Sequence, residues 1–122
     1  MKKAQFVILL VAALSAFGVV PALADSMCTE VMAPTVASLY DCVQHAYAQG
    51  HINDAGVAQS LLAKLSAGQA ALSQGQPAVA AKILQAFIYE VQAQAGVHIL
   101  ADHAQHLVDH AQMVIQALSA RP

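Results

Sequence analysis

The sequence predicts an all-α protein: a compact antiparallel bundle of four helices that follows a cleaved signal peptide. Three observations lead there. Apolar residues recur at helical spacing through successive segments from Leu61 to Leu118, the pattern of helices that bury one face. Glycine, proline and asparagine punctuate that pattern at short intervals. The chain is also rich in alanine and glutamine and nearly bare of β-branched runs, a composition with low helix cost.

Residues 1–24 read as an export signal. Lys2 and Lys3 make a basic start, and the apolar run Phe6 to Val20 is shorter than the roughly 20 residues a membrane span needs. Pro21 then breaks the run, and Ala22-Leu23-Ala24 offers small residues for a peptidase. The mature chain is expected to begin at Asp25, with residues 25–33 as an N-terminal strap and 34–122 as one helical domain. Cys28 and Cys42 then meet an oxidising compartment, where a disulfide between them would tie the strap to the first helix. A loop this short is worth about 3 kcal/mol in the chain-entropy model. The other reading of the pair is two reduced thiols acting as soft metal ligands.

Pro34 suits the opening of the first helix. Val36, Tyr40, Val43 and Tyr47 follow on one face, and Gly50 stops it. Asn53 and Asp54 can cap the second helix, which runs through Val57, Ala58, Leu61, Leu62, Leu65 and Leu72 to Gly75. Pro77 opens a third, with Ala80, Ile83, Leu84, Phe87, Ile88 and Val91 inward and Gly96 as a left-handed cap. The fourth covers about Leu100 to Leu118, its apolar stripe formed by Ala104, Leu107, Val108, Ala111, Val114, Ile115 and Leu118. Short connections make neighbours antiparallel.

Charge narrows the partners. After signal removal Lys64, Lys82 and Arg121 face seven carboxylates, a net charge of −4 with histidines neutral. Three scattered cations cannot neutralise a row of phosphates, which argues against nucleic acid and against an anionic membrane surface.

One set of passages stands out in order: Gly50-His51-Ile52, Ser60-Leu61-Leu62-Ala63-Lys64-Leu65, Ala70-Ala71-Leu72 and Gly75. Ala86-Phe87-Ile88, Val91, Ala93, Gly96 and Ile99 follow, and then Ala104, Leu107-Val108, Ala111 and Val114-Ile115. Together they resemble the FIMAH domain, a small helical module usually attached to secreted bacterial hydrolases and lyases. The resemblance covers about Tyr40 to Leu118. It implies a helical fold and an extracytoplasmic location, and it brings no catalytic residues with it. Val97 departs from the pattern, since such domains tend to have lysine after the glycine.

His103, His106 and His110 sit at i, i+3 and i+7, within an arc of about 60° on a helix. Such an arc flanks the apolar stripe and is expected to meet solvent, with Asp102 and Asp109 beside it. Converging imidazoles there would suit zinc, copper or nickel. The simpler reading is a polar boundary in which Asp102 supports His106 at i+4. His45, His51 and His98 are too scattered to add to it.

Hydrolytic machinery is missing from the pattern. Ser60, Ser66 and Ser73 fall within a helix without the strand-turn-helix elbow that exposes a nucleophile. Glu90 is a single carboxylate on the outer edge of the third helix, and Asp102 and Asp109 are two turns apart on a solvated face. A four-helix module this small rarely builds the cleft that a facing carboxylate pair needs. Tyr40 and Tyr47 are expected to pack in the core, whereas Tyr89, with Gln85 and Gln92, suits an external contact. The sequence thus predicts no enzyme and no cofactor. It predicts a periplasmic or secreted interaction module that binds an unidentified protein or cell-envelope polymer. The alternative is a periplasmic metal-binding helical protein using the His103-His106-His110 face.

Overall fold

The computed structural model describes residues 33–120. The signal peptide, most of the strap and Cys28 lie outside those residues. Four helices follow in order: α1 (Val36–Ala48), α2 (Ala55–Ser73), α3 (Pro77–Gln94) and α4 (Ala101–Ser119). Consecutive helices pack antiparallel, and α1 also packs against α4, so the four close into a ring around one core. No helix among the described residues is long and apolar enough to cross a membrane.

The start of α1 is set by Thr35 rather than by Pro34. Thr35 Oγ1 accepts from the Ser38 amide at 3.0 Å, and Ser38 Oγ accepts from the Thr35 amide at 3.2 Å. This reciprocal cap satisfies two amides that a helix start otherwise leaves open. The inward face of α1 is Val36, Leu39, Cys42, Val43 and Ala46. Tyr40 is half-buried and Tyr47 is 44 % exposed, which corrects the expectation that both tyrosines belong to the core. They sit about 60–80° around the helix from the line through Leu39 and Val43, where a phenol ring can lie on the rim with its hydroxyl in water.

Asp54 caps α2, its Oδ1 accepting from the Val57 amide at 2.9 Å. Ala58, Leu61, Leu65, Gly68 and Ala71 face inward, while Val57, Leu62 and Leu72 are only half-buried. Gly68 is the point where α2 is hemmed on both sides: a Cβ there would lie 3.8 Å from Val36 and 3.9 Å from Ile83. Pro77 occupies the first turn of α3, as its spacing predicts. Phe87, Leu84, Ala80 and Val91 are fully enclosed. Along α4 the apolar stripe is buried as read, except that Ile115 is half-exposed and a polar residue, His110, joins the interior.

The two six-residue connections, 49–54 and 95–100, are stitched together. Ile52 pairs with Ile99 in an antiparallel bridge. The Asn53 amide donates to His98 O at 2.9 Å, and the Leu100 amide donates to His51 O at 2.9 Å. Both isoleucines are 1 % exposed. Gly50 (φ 82°) and Gly96 (φ 77°) make the sharp exits from α1 and α3 that bring these segments together, in a region where other L-residues cost roughly 1–2 kcal/mol.

Gly68→Ala tests the packing around α2. The methyl group meets only ordinary contacts, so helix propensity decides the sign, and the variant gains about 0.5–1 kcal/mol in urea unfolding. Gly68→Leu, by contrast, overfills the same seam and loses about 1–3 kcal/mol.

Candidate functional site

Three polar constellations sit on this frame. The first decorates the stitched connections. The His51 ring stacks on His103, with centroids 3.7 Å apart and an interplanar angle of 15°. His106 lies at the edge of that pair, tilted by 58° with its centroid 6.0 Å from that of His103. His98 Nδ1 is 3.0 Å from Asn53 Oδ1, so the Nδ1–H tautomer donates to the amide oxygen. One imidazole thus reaches across from each connection, and a third comes from the first turn of α4. The sequence separation that made His51 and His98 look irrelevant is cancelled by the Ile52–Ile99 bridge.

The second constellation lies inside. His110 is 2 % exposed, which corrects the expectation that the whole histidine arc meets solvent. Its Nε2 is 2.9 Å from Ser38 Oγ, and its Nδ1 is 3.8 Å from Cys42 Sγ. The Ser38 hydroxyl has one proton, and its nearest acceptor is Ala33 O at 2.6 Å. His110 Nε2–H therefore donates to the Ser38 oxygen, and Nδ1 is the acceptor nitrogen of the ring. That oxygen then accepts from His110 and from the Thr35 amide, and it donates to Ala33 O. No buried side-chain nitrogen or oxygen among the described residues lacks a hydrogen-bond partner.

The arc of His103, His106 and His110 is accordingly divided. His103 pairs with His51, His106 is exposed, and His110 turns into the α1–α4 seam. No group of three or more His, Cys, Asp or Glu side chains among the described residues is placed to hold a metal ion. Asp109 accepts a hydrogen bond from Gln105 Nε2 at 2.8 Å and Asp102 is exposed. Of the expected disulfide pair, Cys42 is 4 % exposed on α1, and Cys28 is outside the described residues.

The third constellation joins α2 to α3. Ser60 Oγ donates to Glu90 Oε2 at 2.8 Å. Lys64 Nζ donates to Ser60 Oγ at 3.2 Å and lies 3.4 Å from Glu90 Oε1. Glu90 is thus a bonded, half-buried partner rather than a loose outer carboxylate. Ser60 and Lys64 come from the Ser-Leu-Leu-Ala-Lys-Leu passage, and Glu90 follows Ala86-Phe87-Ile88. The two most distinctive passages of the chain therefore meet here, with Leu61, Leu65, Phe87 and Ile88 packed inward. The network ties two helices together.

Two grooves lined by described residues offer little room for chemistry. One of about 250 Å³ between α1 and α2 is lined by Ala37, Tyr40, Asp41, Leu65, Ser66 and Gln69. Another, of about 290 Å³, continues it past Thr35 and Leu72. Neither described lining includes an imidazole, a thiol or a lysine, and both fall below the roughly 300–1,000 Å³ usual for small-molecule sites.

Comparison with known proteins agrees with the sequence pattern: a family model described as the FIMAH domain matches residues 36–116. No curated protein and no solved structure matches the chain.

The divided arc has a thermodynamic signature. A double-mutant cycle on His51 and His103 is expected to give a coupling of about 0.5–1.5 kcal/mol from ring stacking. The same cycle on His106 and His110 should give a value near zero. Comparable coupling in both cycles would restore the convergent arc.

Proposed function

The chain belongs to the FIMAH domain family, and from that premise we propose that it is a non-catalytic helical interaction module that binds a protein partner outside the cytoplasm. The observation that carries this reading is where the exposed apolar residues gather. Six large hydrophobic side chains are exposed among the described residues, and three of them lie at the stitched end: Tyr47 (44 %), Val97 (63 %) and Leu100 (54 %). Single exposed apolar residues need no explanation, but several at one end of a small domain suit a partner. The flanking imidazoles of His51, His98 and His103 are only half-buried. They supply a polar rim around an aromatic and two aliphatic anchors, the usual anatomy of a protein contact.

Other features support the non-catalytic part of the reading. Ser60, Lys64 and Glu90 are engaged with one another across α2 and α3, and Ser38 and His110 seal α1 against α4. The scarcity of cations weighs against nucleic acid as the partner. The leader-like start supports export to the periplasm or beyond.

Two measurements test the proposal. Mass spectrometry of the exported protein should find a chain that begins at Asp25 and carries a Cys28–Cys42 disulfide. Immobilised mature protein should enrich one protein partner from a periplasmic or supernatant extract. The Val97→Asp/Leu100→Asp variant should lose at least tenfold in affinity for that partner while retaining its helical circular dichroism. Enrichment of an envelope polymer alone, or equal capture by the variant, would refute the assignment of this surface.

A further inference from the structure

Charge is spread unevenly over the four helices. Among the described residues the cations are Lys64 on α2, bonded to Ser60 and Glu90, and Lys82 on the exposed face of α3. In contrast, α1, α4 and the two stitched connections contain no lysine or arginine, only the carboxylates Asp41, Asp54, Asp102 and Asp109. Two of these share a line on the outer surface of α4. Asp102, His106, Asp109 and Met113 are all exposed and fall within about 60° of helix circumference. Asp102 and Asp109 are seven residues apart, which separates them by about 10.5 Å along the axis. Gln105 Nε2 donates to Asp109 Oδ1 at 2.8 Å and holds that carboxylate on the line. Aliphatic side chains stand at both ends of it: Val97 and Leu100 before Asp102, and Met113 (42 % exposed) one turn beyond Asp109.

We propose that the partner lays a basic helix along this face, with two cations seven residues apart opposite Asp102 and Asp109 and aliphatic side chains against Leu100 and Met113. This occupant presupposes the stitched end as a docking surface and extends that surface along α4. Charge selects its sign, because a face with carboxylates and no lysine or arginine rejects an acidic partner. Geometry selects its form: a helix parallel to α4 has the same rise, so its own side chains return to one face at the same seven-residue interval. The Leu100 amide is bonded to His51 O and the Ile52–Ile99 bridge fixes both connections, so the apolar end is set before the partner arrives and little ordering is lost on binding. Exposed ion pairs add little affinity each; their spacing decides which helix is accepted.

The test titrates the ¹⁵N-labelled exported protein with alanine-based helical peptides of about 18 residues, long enough to hold helix alone. It is run near pH 8, where imidazole is neutral and His106 adds no opposing charge. One peptide carries leucines and two arginines seven residues apart; a second places the arginines five apart, on different faces; a third has glutamates at the seven-residue spacing. The first should shift the amide signals of Val97, Leu100, Asp102, Asp109 and Met113 and bind at least about threefold more tightly than the others. Asp102→Asn/Asp109→Asn, with its helical circular dichroism retained, should weaken that peptide about three- to tenfold. Raising salt from about 20 mM to about 300 mM should erase the difference between wild type and variant. Equal binding of the glutamate peptide, indifference to spacing, or shifts confined to the α1–α2 groove would overturn the basic helix. If the natural partner is lost by Val97→Asp/Leu100→Asp but kept by Asp102→Asn/Asp109→Asn, the basic helix falls while the docking surface stands.

Discussion

The stitched pair of connections is the constraint on which the bundle depends. Four helices rich in alanine present thin apolar stripes, and their core is open at both ends unless something covers it. Ile52 and Ile99, each almost fully enclosed, close one end. Their backbone bonds fix the exits of α1 and α3 and the entries of α2 and α4 at once. Without that bridge the helices would still be amphipathic, but this end of the core would lose its cover and the two connections their shared register. The exposed residues of the same segments, and the imidazoles beside them, inherit their positions from it.

Most of the fold could be read from the chain because helix content, punctuation and stripe direction are local properties. Gly50, Gly75 and Gly96 each take positive φ where the pattern stops, Asp54 caps α2 and Pro77 opens α3 as spacing implies. The misreadings share one cause. Tyr47, Glu90 and His110 each lie on the flank of a stripe, and a flank is buried or exposed according to which neighbouring helix overhangs it. Periodicity within one helix does not contain that information. Ser38 was the available hint for His110: a hydroxyl on the inward side of α1, in need of a partner from elsewhere.

The pairing of His51 with His103 was beyond reach for a different reason. It depends on a two-residue bridge between connections 47 residues apart, Ile52 to Ile99, and such bridges leave no periodic trace. The same holds for the meeting of Ser60 and Lys64 with Glu90. There the family resemblance pointed to the right passages without saying why they belong together. Their geometry gives a reason: a hydrogen-bonded clamp between α2 and α3, on helices whose inner faces bury Leu61, Leu65, Phe87 and Ile88.

The seam between α1 and α4 has a kinetic consequence. The other helix contacts join neighbours in sequence and close over short loops, whereas Ser38 and His110 are 72 residues apart. Closing so large a loop costs entropy before any contact compensates it. The α1–α2, α2–α3 and α3–α4 hairpins should therefore assemble early, with the α1–α4 seam closing last. Interactions formed after the barrier act on the escape rate rather than the folding rate. The Ser38–His110 bond thus governs how long the finished molecule stays shut, not how quickly it is made.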